Sequence, residues 1–115
     1  MGDNIENAAI ESTMLGVEDH GILTFRLTIC GQGWGQRLGG YALDSNRNGV
    51  RTGFGPGLVA IREILDTLEV GKWESLPGTL IRVRRGLVGT RRPPVIGHIL
   101  KDKWFDLAKH MKDCE

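Results

Sequence analysis

Within Gly21–Ile29, apolar and polar side chains alternate from Leu23 onward. Leu23, Phe25, Leu27 and Ile29 share one parity, and Thr24, Arg26 and Thr28 share the other. A period of two, rich in threonine, aromatic and branched residues, predicts a half-buried strand. Ala9 to Leu15 supplies a partner strand, and the polar, glycine-bounded Gly16–Gly21 segment connects the two as a hairpin. Residues 1–7 have little to bury and are expected to form a loose tail.

Further along the period changes. Leu58, Ile61, Leu65 and Leu68 recur at three- and four-residue spacing, with Ile64 widening the stripe, which predicts an amphipathic helix lying on a sheet. Pro56 suits its first turn, Arg62 and Asp66 lie one turn apart on its exposed side, and Gly71 is expected to stop it. Thr79 to Arg85 returns to period two, with Ile81 and Val83 against Arg82 and Arg84. Pro94 to Leu100 reads as another short strand, and Trp104 to Lys112 fits a terminal helix. The order predicts an α+β fold, a small antiparallel sheet of about four to six strands with one main helix packed on one face.

Glycine complicates the middle of the chain. Nine of the seventeen glycines fall between Gly31 and Gly57. Gly31–Gln36 is expected to be a loop or a strongly bulged strand, because glycine weakens both helices and ordinary strands. Leu38 to Leu43 can be a strand bent at Gly39 and Gly40, and Asp44–Gly49 is a turn by composition. Gly31-x-Gly33-x-Gly35 has a superficial likeness to a dinucleotide fingerprint, but no helix follows where one is required. Two readings of Trp34 stand side by side: presented to a partner, or folded back over the sheet.

At 115 residues, 40% apolar and 25% charged, the chain is expected to form one soluble domain over residues 1–115. No apolar run approaches the roughly 20 residues that span a bilayer, so no membrane partner is expected. The polar, acidic start is unlike a signal peptide. Cys30 and Cys114 form no Cys-x-x-Cys pair, and a reducing cytoplasm is the simpler setting.

Charge is where function enters. The net charge of +1 hides segregation: Met1–Asp19 carries five acids and no base, whereas Gly21–Arg62 carries five arginines and the single acid Asp44. Half of the ten arginines then fall between Arg82 and Arg92, and no acid lies from Thr79 to Lys101. Arginine holds its charge at any cellular pH and presents a fork that fits phosphate or carboxylate. Arg82, Arg84, Arg85, Arg91 and Arg92, on a second hairpin, are therefore the first candidate binding residues. Trp34 and Arg37 in the glycine segment are the next, since tryptophan and arginine are typical interface anchors. Arg47 and Arg51 lie just upstream of the helix start, where free N–H groups favour anions. Against all of these stands the plainer reading, arginines solvated or paired with the protein's own acids.

Catalytic and metal chemistry find little footing. His20, His98 and His110 have no zinc-like spacing, and His98 with Asp102 is the only dyad that spacing suggests. No metal and no cofactor is expected, and an enzyme acting on a phosphorylated small molecule is the least favoured reading.

Ile10–Ile22 (IESTMLGVEDHGI), Gly39–Asp44 (GGYALD) and Gly97–Phe105 (GHILKDKWF) resemble a family of small uncharacterised proteins of bacteriophages and prophages. The family brings no established reaction or catalytic residues. The resemblance implies a phage or prophage product acting inside a bacterium, and products of this size are often accessory factors that bind host or defence components, CRISPR–Cas complexes among them. The leading expectation is thus a cytoplasmic binding protein whose partner is a host or defence protein complex. Nucleic acid or an anionic nucleotide held by the arginine hairpin is the alternative. A homo-oligomer that pairs glycine-rich strands between subunits is compatible with either.

Overall fold

The computed structural model describes residues 4–18, 21–85 and 93–113. Its elements are β1 (Asn4–Glu18), β2 (Ile22–Gly31), β3 (Trp34–Ala42), β4 (Asp44–Arg47), β5 (Val50–Gly53), α1 (Gly55–Leu68), a 3-10 turn at Trp73–Ser75, β6 (Leu80–Arg85), β7 (Val95–His98), β8 (Trp104–Phe105) and α2 (Leu107–Asp113). Six strands form one antiparallel sheet in the order β3-β2-β1-β6-β7-β8, and β4 and β5 form a separate hairpin. This is the expected α+β architecture.

The first hairpin is longer than expected. β1 pairs with β2 from Ala9–Cys30 to Glu18–Ile22, broken by a register shift between Ile10 and Ser12. Asn4–Asn7, assigned above to a loose tail, instead pair with Arg82–Arg85 of β6. The apolar content of that segment is low because backbone pairing and the Glu6 carboxylate, rather than apolar burial, hold it.

The glycine segment is sheet as well. Its turn takes only Gln32 and Gly33, the latter at φ +79°, and β3 begins at Trp34. Gly39 sits at φ +121°, where an added Cβ would run into the Phe25 carbonyl oxygen and lie 3.0 Å from Arg26 Cα. It marks the register shift opposite Thr24–Arg26, so the bend expected at Gly39 and Gly40 is a bulge, whereas Gly31–Gln36, expected to be a loop or a strongly bulged strand, is a tight turn leading into a regularly paired strand. The Asp44–Gly49 turn narrows to Asn48 (φ 53°) and Gly49 (φ 83°), and its flanks become β4 and β5. Two consecutive positive φ angles at Asn-Gly are the signature of a tight hairpin.

α1 packs on one face, but not by the stripe expected. Gly57, Ala60, Ile64, Thr67 and Leu68 are buried, Ile61 and Leu65 only partly, and Leu58 is 69% exposed. Small residues explain the offset. A Cβ at Gly57 would come within 2.9 Å of the Leu43 Cα, so the helix is drawn down on its glycine–alanine side. The helix ends at Glu69 rather than Gly71: Glu69 adopts φ 56°, its N–H donates to the Asp66 carbonyl, and Val70 N–H donates to the Leu65 carbonyl. The Arg62–Asp66 pair forms at 3.7 Å. Under the helix lie Ile10, Phe25, Leu27, Ile29, Leu38, Ile81, Val83 and Ile96, with Leu107 and Met111 of α2 closing the same core. Both helices therefore cover one face of the sheet, and the other face is uncovered among the described residues. No helix among these residues is long and apolar enough to cross a membrane.

Candidate functional site

Alternation along β6 decides where the arginines go. Ile81 and Val83 are fully buried against the helices, so Arg82 and Arg84 rise from the opposite, outer face. Gly97 of β7 lies opposite Arg82, and Trp104 of β8 lies opposite Gly97. An added Cβ at Gly97 would fall 2.7 Å from Trp104 Cδ2 and closer still to Cε3. The missing side chain lets the indole lie across β7 and reach β6. There Arg82 and Arg84 place their guanidinium carbons 4.8 and 4.6 Å from the ring centroid, within the range of a cation–π contact.

The two arginines differ in what remains available. Arg82 donates Nε to the His98 carbonyl (2.8 Å) and an Nη to the Lys101 carbonyl (2.7 Å), tying down the turn between β7 and β8. Arg84 has no carboxylate partner among the described residues, and the indole is its contact. Trp104 Nε1 donates to Asp102 (3.0 Å), which fixes the ring. Ile5, cross-strand from Arg84, is 54% exposed, and Leu80, cross-strand from Ala9, is 63% exposed. Ile5, Leu80, Arg82, Arg84 and Trp104 thus form a mixed apolar and guanidinium patch on the open face.

The remaining candidates do not join it. Arg85 shares the parity of Ile81 and Val83 and so belongs to the helix-bearing face. Its guanidinium stacks 4.1 Å from the Trp34 ring centroid and pairs with Glu6 at 3.1 Å, while Trp34 Nε1 donates to the same Glu6 carboxylate at 3.0 Å. Trp34 itself lies over Gly31, where a Cβ would strike the indole, so the folded-back reading of Trp34 is the one the structure adopts. Arg37 is exposed on the outer face of β3, paired with Thr28, which pairs in turn with Ser12. Arg84 sits at the level of Ile5, so seven residues of β1, about 23 Å at the usual strand rise, separate it from Arg37 along the strand. Arg47 is exposed in β4. Arg51 is held in an ion pair with Asp44 and also donates to its carbonyl at 3.1 Å. That Arg51 hydrogen bond, together with the Leu23 N–H, holds the Asp44 carboxyl below its usual range. Arg91 and Arg92, like Cys114 and His20, lie outside the described residues.

The His98–Asp102 dyad does not form. Asp102 serves Trp104, and His98 Nδ1 accepts from the Leu100 and Lys101 N–H groups (3.1 and 3.0 Å), leaving Nε2 facing Glu69 at 3.9 Å. Glu69 also takes Lys101 Nζ (2.8 Å) and Lys103 Nζ (3.2 Å), and Lys103 reaches the Asp66 carbonyl as well. Hydrogen bonds from Lys101 and then Lys103 hold the Glu69 carboxyl down at about 2. This cluster closes the end of α1 and is structural. Among the described residues no three His, Cys, Asp or Glu side chains gather as a metal set.

Trp104, read from the sequence as the start of a terminal helix, instead lies in β8 as the ring beneath Arg82 and Arg84, and the helix begins at Leu107. The signal for it was Gly97: a lone glycine inside an apolar strand marks a close approach by another group. The Glu69 cluster had no such signal, because Lys101 and Lys103 lie more than thirty residues from Glu69. No family model, no curated protein and no solved structure matches the chain.

Proposed function

We propose that this chain acts by binding a protein partner through the outer face of its sheet, with Arg84 and Trp104 at the centre of the contact and Ile5 and Leu80 beside them. One observation supports this above the rest: an open sheet face carries an indole flanked by two guanidiniums and two exposed aliphatic side chains. Tryptophan and arginine are the residue types that dominate interface energetics. In the setting that the family resemblance implies, the partner is a component of a host or defence complex in a bacterial cell, whose acidic surface would meet Arg84.

Phosphate binding is the second reading, and the geometry favours it less. Donors of Arg82 are already committed to backbone carbonyls, Arg85 is paired with Glu6 on the other face, and Arg51 with Asp44. Duplex binding draws on many free cations acting together, and the described arginines are dispersed. Affinity capture from bacterial lysate, with and without nuclease, separates the two readings. The expected result is a nuclease-resistant protein partner lost in Arg84→Glu and retained in Arg47→Glu. Recovery of nucleic acid alone, released by moderate salt, would overturn the protein reading in favour of phosphate contacts. A partner indifferent to Arg84→Glu would remove the outer face from the interface.

A further inference from the structure

β1 outruns its neighbour. Asn4–Ala9 pair with β6, and Ile10 still bonds to the preceding turn, its N–H donating to the Thr79 carbonyl (3.0 Å) and its carbonyl accepting from Gly78 (2.7 Å). From Glu11 to Glu18 the strand keeps β2 on one side and has no paired strand on the other among the described residues.

Bonds made by β2 reveal which backbone groups face that open side. Leu23 donates its N–H to the Asp44 carboxylate (3.3 Å), and its carbonyl accepts from Leu43 N–H (2.8 Å), both directed away from β1. Its cross-strand partner is Val17, so Leu23–Val17 is a non-hydrogen-bonded pair of the β1–β2 ladder. By antiparallel alternation Thr13, Leu15 and Val17 turn their N–H and C=O groups to the open edge.

From Ser12 to Glu18 this edge lacks the usual protection, the register shift of β1 falling at its start, between Ile10 and Ser12. Proteins blunt exposed edges with lysine, proline, bulges or short strands, and Glu11–Glu18 contains neither lysine nor proline. Leu15 and Val17 are 48% and 67% exposed, and the carboxylate of Glu18 is already paired with Arg26. The other two edges are blunted: β3 by its bulge at Gly39, β8 by being two residues long.

We propose that this edge pairs with the same edge of a second copy of the chain, antiparallel, about a two-fold axis at Leu15. Self-complementarity picks out both the occupant and the register. Edge-facing groups must meet edge-facing groups, and the register that uses all three residues sets Leu15 opposite the second copy's Leu15 and Thr13 opposite its Val17. Aliphatic and β-branched cross-strand pairs of this kind are favourable. Glu18 then falls opposite Ser12, whereas a register one residue away would oppose Glu11 to Glu18 and turn the wrong backbone groups together. An isologous contact of this form closes at two copies. It uses β1, not the glycine-rich strand that the sequence suggested for subunit pairing.

Sedimentation of the full chain at rising concentration, alongside Leu15→Lys, tests the pairing. The wild-type chain is expected to dimerise, and Leu15→Lys, which opposes two ammonium groups across the axis, to weaken association by about tenfold or more. Leu15 is half exposed, so the substitution leaves the core intact. As an independent readout, Leu15→Cys in a Cys30→Ser, Cys114→Ser background is expected to cross-link to a dimer with a short bis-maleimide, and Val50→Cys in the same background is not. A wild-type chain that stays monomeric at about 100 μM, well above the concentration at which a micromolar dimer forms, overturns the proposal. So does a dimer that Leu15→Lys leaves unchanged and Leu15→Cys fails to cross-link.

Discussion

The outer patch depends on a glycine, and that dependence can be measured. Gly97→Ala adds a methyl group 2.7 Å from Trp104 Cδ2 and nearer to Cε3, with no positive φ to complicate the backbone. The indole must lift. Overpacking of this kind costs roughly 1–3 kcal/mol. A lifted indole also loosens two cation–π contacts, each about 0.5–1 kcal/mol where partly exposed, and a hydrogen bond to Asp102 worth about 1 kcal/mol net. These losses overlap, because an indole that moves away relieves the clash, so the expected total is about 2–3 kcal/mol. The assay is urea unfolding followed by far-UV circular dichroism, which does not depend on the tryptophan signal. The decisive comparison is the same substitution on Trp104→Ala. There the three atoms nearest the new methyl group are gone, and the better strand residue should make Gly97→Ala neutral or slightly stabilising. A coupling of about 2 kcal/mol between the two sites is expected. Should Gly97→Ala cost the same with and without the indole, the close approach of Trp104 is not what requires glycine there, and the account of the patch fails.

Two further predictions concern the fold alone. Glu69 titrates at about 2 in the folded chain against an ordinary 4.5, so its contribution is complete above pH 4.5 and is lost as pH falls toward 2; Glu69→Gln should therefore flatten the fall in urea midpoint between pH 5 and pH 2.5, and an unchanged slope would show that Lys101 and Lys103 do not hold the carboxylate. Gly39→Ala must place a side chain at φ +121° and against the Phe25 carbonyl, so a loss of at least about 2 kcal/mol in the same unfolding assay is expected, while Gly53→Ala, with open space around it, should cost little.

How far the sequence reached is clearest at the arginine run. Period two correctly split Ile81 and Val83 from Arg82 and Arg84, because burial enforces strand parity on both sets. The same parity sends Arg85 to the other face, so a run that reads as one patch is divided by the sheet itself. What Arg82 and Arg84 stack upon was hidden, since Trp104 lies about twenty residues away and reaches them only across Gly97. The helix stripe failed for a related reason. Counting large apolar residues favoured Leu58, but close packing of α1 on Leu43 depends on Gly57 and Ala60, which carry little hydrophobic signal. Asn4–Asn7 escaped notice because ladder hydrogen bonds, unlike side-chain burial, leave no trace in composition.

The two inferred surfaces bear on each other through the geometry of the sheet. An antiparallel edge pairing continues one sheet into the next, so the two-fold axis stands perpendicular to it and both outer faces look the same way. Arg84 lies at the level of Ile5 on β1, and from Ile5 to Leu15 the strand runs about 33 Å at the usual rise. Two Arg84–Trp104 patches would then sit on one side of the assembly, on the order of 65 Å apart along the strands. A single small partner cannot touch both. A partner with repeated copies of its own site could, and its second contact would form at the high effective concentration set by the first. The pairing edge and the contact face thus separate cleanly in experiment: Leu15→Lys should weaken capture of a repeated partner while leaving the affinity for one isolated copy of its site unchanged, whereas Arg84→Glu should weaken both.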